Sequence, residues 1–362
     1  MRVNRVLTIP EPGKVEFVDR KFPTINAGYA VIETEIAPIC LEGTRIWTKH
    51  EFEFHDDPGH LGHEGVGTIV EINPGSDFKV GDRVIVFQGD HCGRCHSCRN
   101  GLSPTYCDAN VPERGGRALH GIEEKNSSDS GGFAMASHRI APVANLYPVP
   151  DDVSFKTAAA CNCSYGVGFS NQELMGVRPG DSVLIGGVGF IAMGHVVSAL
   201  YRNATVIALM RNKYREDLLR KMGVEHFVDP DDPDWLAQVR SLTYDGQGVD
   251  HAVDGSGVAY YQEKLLAAIR TYGSMNFSGH TPNQTFQLHP LQHVIDPAIS
   301  MTGQHDVRSI DREHLVRSLR DPEVQRMIDV MVTHEFPMSR AGEAFEIQAS
   351  KKCGKIYLYT QQ

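Results

Sequence analysis

No segment of this chain is apolar for long enough to cross a bilayer, and the apolar run after Met1 is too short for a secretory leader. Basic residues are in deficit: 35 Lys and Arg stand against 45 Asp and Glu, for a formal net charge of −10. That balance makes nucleic acid and anionic membrane surfaces poor partners. No internal repeat and no low-complexity tract is present, so solenoid architectures drop out. The expected location is cytoplasmic, where cysteines stay reduced and free to bind metal. At 362 residues, 41% of them hydrophobic, the chain reads as a soluble globular protein of about two domains.

What the sequence does have is a knot of cysteine. Cys92-Gly-Arg-Cys95-His-Ser-Cys98 and the nearby Cys107 gather four of the chain's eight cysteines. This spacing lets one short loop wrap four thiolates around a tetrahedral ion, and zinc is the natural occupant. The alternatives are two disulfides or an iron–sulfur cluster. Adjacent Cys-x2-Cys pairs would make strained disulfides, and no leader precedes them. A site with four thiolates keeps no open position, so it braces a fold and performs no chemistry.

Short strands and turns dominate up to about residue 150. Tyr29 to Ile36 alternates apolar and polar residues, as a half-buried strand should. Gly67 to Ile72, the turn Asn73-Pro-Gly-Ser and Val80 to Phe87 read as strand, turn, strand. The polar stretch Asn110 to Ser130 reads as a long surface loop, either a substrate lid or a tolerated insertion. Near residue 155 the pattern changes. Strands beginning at Asp181, Thr205, His226, Val249 and Ser274 alternate with helical runs from Phe190, Lys213, Asp234 and Tyr260, which argues for a doubly wound parallel sheet. The fold class is therefore α/β, with a second, mainly β domain. The expected boundaries are 1–154 completed by 305–362, and 155–304. The last strand, Lys355 to Tyr359, is expected to pack back on the first domain.

The strand Val183-Leu-Ile runs into Gly186, Gly187, Val188, Gly189, Phe190, Ile191 and Ala192, and a helix follows. This is G-x-G-x-x-A in the strand–turn–helix context of a dinucleotide fingerprint, with helix-terminal N–H groups available for the pyrophosphate. The end of the next strand carries Met210, Arg211 and Asn212. No carboxylate stands there to repel a 2′-phosphate and Arg211 could pair with one, so NADP is favoured over NAD.

Gly62-His63-Glu64 places an imidazole beside a carboxylate just before a strand, while Cys40 ends a strand and Cys163 follows an alanine-rich run. Two thiolates, an imidazole and a fourth position for water or Glu64 would make an open zinc site. The separations alone also fit buried structural cysteines and a satisfied core histidine.

In order along the chain, Gly62-His63-Glu64, Lys79-Val-Gly-Asp-Arg-Val, the four-cysteine lobe, Gly131-Gly-Phe-Ala and Gly187-x-Gly189 resemble the zinc-dependent medium-chain dehydrogenases, the alcohol dehydrogenase-like family. The resemblance covers nearly the whole chain. It implies a GroES-like catalytic domain and a Rossmann domain with the active site in the cleft between them. It also implies one catalytic and one structural zinc per chain, and a homo-oligomer, dimer or tetramer. Catalytic zinc ligands are implied at Cys40, His63 and Cys163, with Glu64 a carboxylate able to exchange onto the metal. Cys161 competes with Cys163 for the third place, and Cys353 is expected in the core.

One stretch departs from the family. There the first ligand usually begins Cys-Gly-Ser/Thr-Asp, with a histidine five residues on, and the hydroxyl and that histidine relay the substrate proton. Here Glu42 stands at the hydroxyl position, Gly43 replaces the aspartate, and Arg45 stands where the histidine is expected. Glu42 is a candidate base or metal ligand, or a surface residue in a turn. Thr44 could restore the relay, and Arg45 could bind a phosphate or carboxylate. The implied activity is an NAD(P)-linked zinc oxidoreductase interconverting a secondary alcohol and a ketone, with a sugar or cyclitol as the fitting class of small-molecule substrate. The rivals are enone reduction or a redox-neutral elimination on the same metal, and a nucleotide-binding protein without turnover.

Overall fold

The computed structural model describes residues 2–25, 27–49, 61–89, 91–110, 133–281 and 285–361. Most of the candidate lid Asn110 to Ser130, from 111 onward, and the Gly131-Gly132 pair lie outside the described residues. Two compact units divide the chain: Met1–Asn162 with Asp306–Arg320 and Val332–Gln362, and Cys163–His305 with Asp321–Met331.

The strands of the first unit are β1 (Val3–Glu11), β2 (Lys14–Lys21), β3 (Tyr29–Ile39), β4 (Gly65–Ile72), β5 (Arg83–Val86), β6 (His138–Pro142) and β7 (Leu146–Pro148). Those of the second are β8 (Ser182–Gly186), β9 (Thr205–Leu209), β10 (His226–Val228), β11 (Val249–Asp254), β12 (Ile269–Phe277) and β13 (Ser300–Thr302). The chain then returns to the first unit with β14 (Val332–Pro337) and β15 (Lys355–Tyr359).

The spine of the first unit is β3, whose eleven residues serve several neighbours. β4 pairs with it antiparallel over Ala30 to Ile36, β6 over Tyr29 to Glu33, and β15 over Ile36 to Ile39. The full order is β14-β15-β3-β4-β5-β7. Ala30, Ile32, Ile69, Val84, Val86, Ala141 and Leu146 fill a core against it. β3 is buried almost throughout, with strands paired on both edges and core side chains packed against its face. The final strand thus packs where the sequence placed it.

The second unit is a six-stranded parallel sheet in the order β10-β9-β8-β11-β12-β13. Renumbered from β8, that is 3-2-1-4-5-6, the doubly wound Rossmann order, whose switch point lies between β8 and β11. Helices Ser164–Met175 and Phe190–Tyr201 cross through Gly168 and Gly194. A Cβ on Gly194 would stand 1.7 Å from the carbonyl oxygen of Ser164, so no larger residue fits. The units differ from the expected boundaries in two places, the first being that residues 155–162, with the helix Phe155–Ala158, group with the first unit. Helix Pro322–Met331 groups with the second unit, because Val324, Met327, Ile328 and Met331 are buried and Arg326 donates to the carbonyls of Lys221 and Met222 at 2.6 and 3.1 Å.

Candidate metal centre and nucleotide turn

β3 ends at Ile39, Cys40 follows, and the helix Leu41–Lys49 begins at once. Its apolar residues Gly43, Ile46 and Trp47 are buried, and Trp47 stacks on Phe345 with ring centroids 5.6 Å apart. A Cβ on Gly43 would lie 2.8 Å from Cε1 of Phe345. The expected aspartate therefore has no room at position 43. Gln348, from the same helix as Phe345, donates to the carbonyl of Cys40 at 3.2 Å and fixes the strand's end.

His63 is held from the other direction. Gly62 adopts a left-handed φ of 80°, and its carbonyl accepts from Ala134 N at 2.7 Å. A Cβ on Gly62 would meet Met135 Cγ at 2.8 Å, so the glycine serves both conformation and space. The ring of His63 then reaches Glu42, with Nδ1 2.9 Å from Oε2. Glu42 is no surface residue in a turn, since its side chain is only 12% exposed. Burial works against a charged His63, but the Cys40 thiolate and then the Glu42 carboxylate hold its pKa well above the ordinary histidine value.

Glu64 and Lys355 form an ion pair at 2.5 Å in which neither side chain has any exposure. Burial pushes the Glu64 carboxyl up to about 7, while the Lys355 ammonium pulls the other way. Its second oxygen, Oε2, is buried and has no hydrogen-bond partner among the described residues. Asn162 donates to the carbonyl of Val86 at 2.6 Å, and Cys163 is the next residue along the chain. Cys40, His63, Glu64 and Cys163 each offer a ligand atom, and these atoms all lie within 4.8 Å of one another. Cys161 is outside this group: it is fully buried, and burial pushes its thiol up, away from the thiolate a metal needs. Cys353 is buried in the core as expected. Lys355 and Phe345 are the site-forming residues that sequence reading missed. Their position in the last helix and strand carries no motif.

Cys92, Cys95, Cys98 and Cys107 form a second group of the same kind. None of the eight cysteines is in a disulfide. The loop's own amides point at sulfur: Cys92 N to Cys107 Sγ at 3.3 Å, Cys95 N to Cys92 Sγ at 3.4 Å, and Cys98 N to Cys95 Sγ at 3.4 Å. At Cys95, burial raises the pKa, but N–H donation from Cys98 and Asp108 outweighs it and holds the thiol at about 6. The lobe is tied down by Ile310 N donating to Gly101 O at 2.9 Å and by Thr105 hydrogen-bonding Asp306.

In the second unit, Gly187 turns the chain at φ 70°, with Ser256 so close that a Cβ would stand 2.3 Å from its Cβ. A Cβ on Gly189 would meet nothing nearer than Gly255 O at 3.6 Å, so this side of the turn is open to a ligand. Ala192 packs against Gly255. The helix from Phe190 and Ile191 onward presents its N-terminus there, and Arg215 donates to the carbonyl of Val188 at 2.8 Å. This is the shape a dinucleotide pyrophosphate requires. Met210 is buried just past β9, Asn212 caps the next helix by accepting from Arg215 N, and Arg211 is exposed.

Residues 26–151 match the alcohol dehydrogenase GroES-like domain, and residues 187–316 match the zinc-binding dehydrogenase domain. The L-threonine 3-dehydrogenase of Caldanaerobacter subterraneus subsp. tengcongensis is 26% identical, over 95% of each chain. The sorbitol dehydrogenase of Bacillus subtilis is 24% identical, over 93% of this chain and 92% of its own. The solved alcohol dehydrogenase from Thermus sp. ATN1 has the same fold, with a TM-score of 0.84 at 21% identity over 98% of this chain and 99% of its own. A GroES-like unit, a Rossmann unit and a zinc-type donor set define the class: an oxidoreductase. The chain belongs to the zinc-dependent medium-chain dehydrogenase family, the alcohol dehydrogenase-like enzymes. No described helix is long and apolar enough to cross a membrane.

Proposed function

We propose that this enzyme interconverts a secondary alcohol and a ketone by hydride transfer, using zinc at Cys40, His63 and Cys163 and preferring NADP to NAD. The observation that carries the reading is the convergence of these three donors and Glu64 within 4.8 Å. Two thiols, an imidazole and an exchangeable carboxylate suit zinc and leave one position for a substrate oxygen. Zinc held there would supply Lewis-acid polarisation of that oxygen, and a nicotinamide on the Gly187–Gly189 turn would carry the hydride.

The chain's own residues do the positioning. Glu42 accepts from His63 Nδ1, which leaves Nε2 as the donor atom toward the metal. Lys355 occupies one oxygen of Glu64 and leaves Oε2 as the exchangeable donor. Glu42 thereby serves to orient His63 through Oε2. Thr44 Oγ1, buried and without a hydrogen-bond partner among the described residues, is the hydroxyl that would accept a hydrogen bond from the substrate alcohol and orient it. Cys92, Cys95, Cys98 and Cys107 would hold the second, structural zinc. The substrate is a small polar alcohol, a sugar or cyclitol in class, and the hydroxylated substrates in the names of the threonine and sorbitol dehydrogenases support that. We infer a homo-oligomer, dimer or tetramer, working in the cytoplasm, where its undisulfided cysteines stay reduced.

The test is steady-state turnover of a panel of polyols, simple alcohols and ketones with each cofactor. Oxidation of polyols with NADP is expected. One observation favours a second reading, enone reduction or redox-neutral elimination: the carboxylate at the usual relay position is committed to His63. Turnover of enones with silence on every alcohol and ketone would establish it instead.

A further inference from the structure

The carboxylate absent from the end of β9 is supplied by the next strand. β9 and β10 are paired in parallel with Leu209 beside Val228, and Met210 N donates to Val228 O at 3.1 Å. Three residues past Val228, Asp231 turns back, its own N–H held by Asp229 Oδ1 at 2.9 Å. Its Oδ2 takes Arg211 Nη1 at 2.8 Å. Its Oδ1 accepts from the hydroxyl of Tyr260, which also lies 3.0 Å from Pro230 O. Tyr260 opens the helix Ala259–Ala268 beyond β11, and the Arg211 guanidinium stands 5.7 Å from its ring centroid. The ends of β9, β10 and β11 thus converge on one Arg–Asp–Tyr cluster, and the glycine turn meets the end of β9 through Gly187 N, 3.3 Å from Leu209 O. Lys264 adds a cation to this cluster, its Nζ 5.1 Å from the Tyr260 ring centroid.

We propose that Asp231 limits the preference for NADP, because it competes with a 2′-phosphate for Arg211. Both are anions that match the guanidinium fork, and Arg211 cannot satisfy them fully at once. Tyr260 holds Asp231 in the competing position by binding its other oxygen. A ribose with a bare 2′-hydroxyl leaves the Arg211–Asp231 pair intact. A 2′-phosphate has to break it and then sits beside an uncompensated carboxylate. The inference rests on the nucleotide site proposed at Gly187–Gly189.

The test uses the zinc-loaded full chain and measures Kd for NADPH and for NADH by nucleotide fluorescence. Asp231→Asn keeps an acceptor for Tyr260 and removes the charge. It is expected to tighten NADPH about tenfold and to change NADH less than about twofold. In an Arg211→Ala background the same substitution should gain little, since the released partner is gone. Unchanged NADPH affinity in Asp231→Asn, whatever NADH does, overturns the proposal. So does an equal gain for both cofactors, or a full gain that persists without Arg211. Wild-type preference for NADH, with the Asp231→Asn shift still present, removes the NADP reading and leaves this inference standing.

Discussion

Nδ1 of His63 and Oε2 of Glu42 lie 2.9 Å apart, which gives the carboxylate at position 42 a definite partner. Phe345 fills the space over Gly43, so a carboxylate cannot stand there. The carboxylate beside His63 is that of Glu42, one position earlier. Under the proposed zinc site, the change that looked like a broken proton relay supplies a carboxylate partner to His63.

Removing that support should loosen the metal without unfolding the chain. Glu42→Ala is expected to lower zinc affinity at the Cys40 site by about 10- to 100-fold, with Glu42→Gln intermediate. Competition with a chromophoric chelator measures it. Unchanged affinity in both variants would return Glu42 to the list of candidate bases.

Gly43→Ala tests the packing half of the argument. The new methyl would start 2.8 Å from Phe345, whose ring is pinned against Trp47. Overpacking of this kind costs about 1–3 kcal/mol, read as a lower urea midpoint. Adding Phe345→Leu should return part of it.

The buried Glu64–Lys355 pair is expected to be costly to break from one side. Lys355→Met leaves an uncompensated carboxylate and should destabilise the chain by about 3–5 kcal/mol. The double variant with Glu64→Gln should recover much of that loss. Chemical denaturation of the single and double variants decides it.

Loss of the four-cysteine site should harm structure before chemistry. Cys95→Ser is expected to lower zinc content from about two to about one per chain and to expose the segment around Asp306 and Ile310 to protease. The reason is that this segment is bonded to the lobe through Gly101 and Thr105. Folded molecules should keep most of their kcat.

His195 should make the second unit acid-sensitive. It is wholly buried, with Nε2 2.9 Å from Ser278 Oγ, and burial, aided by the nearby Arg202 charge, lowers its pKa to about 3. The unfolded chain protonates near 6.5, so it binds the proton the folded chain refuses. This contribution is complete above about pH 6.5 and lost as pH falls toward 3, at up to about 1.4 kcal/mol per pH unit. Unfolding free energies at pH 7 and pH 5 should converge in His195→Gln once carboxylate effects common to both proteins are subtracted.

Much was legible in the sequence because it was local. The cysteine lobe, the Gly187-x-Gly189 turn and the alternation of strands and helices after Asp181 each depend on residues close together in the chain, where spacing fixes geometry. Tertiary structure alone decided what depends on distant segments. Cys40 and His63 meet because β3 and β4 pair. Gly43 is small because Phe345 arrives from the last helix, and Glu64 is matched by Lys355, 291 residues away. The same holds for Arg211. Its sequence reads as an open phosphate ligand, but the parallel pairing of β9 with β10 brings Asp231 to it. A charge read from sequence carries no partner, and which partner it meets is a property of the sheet.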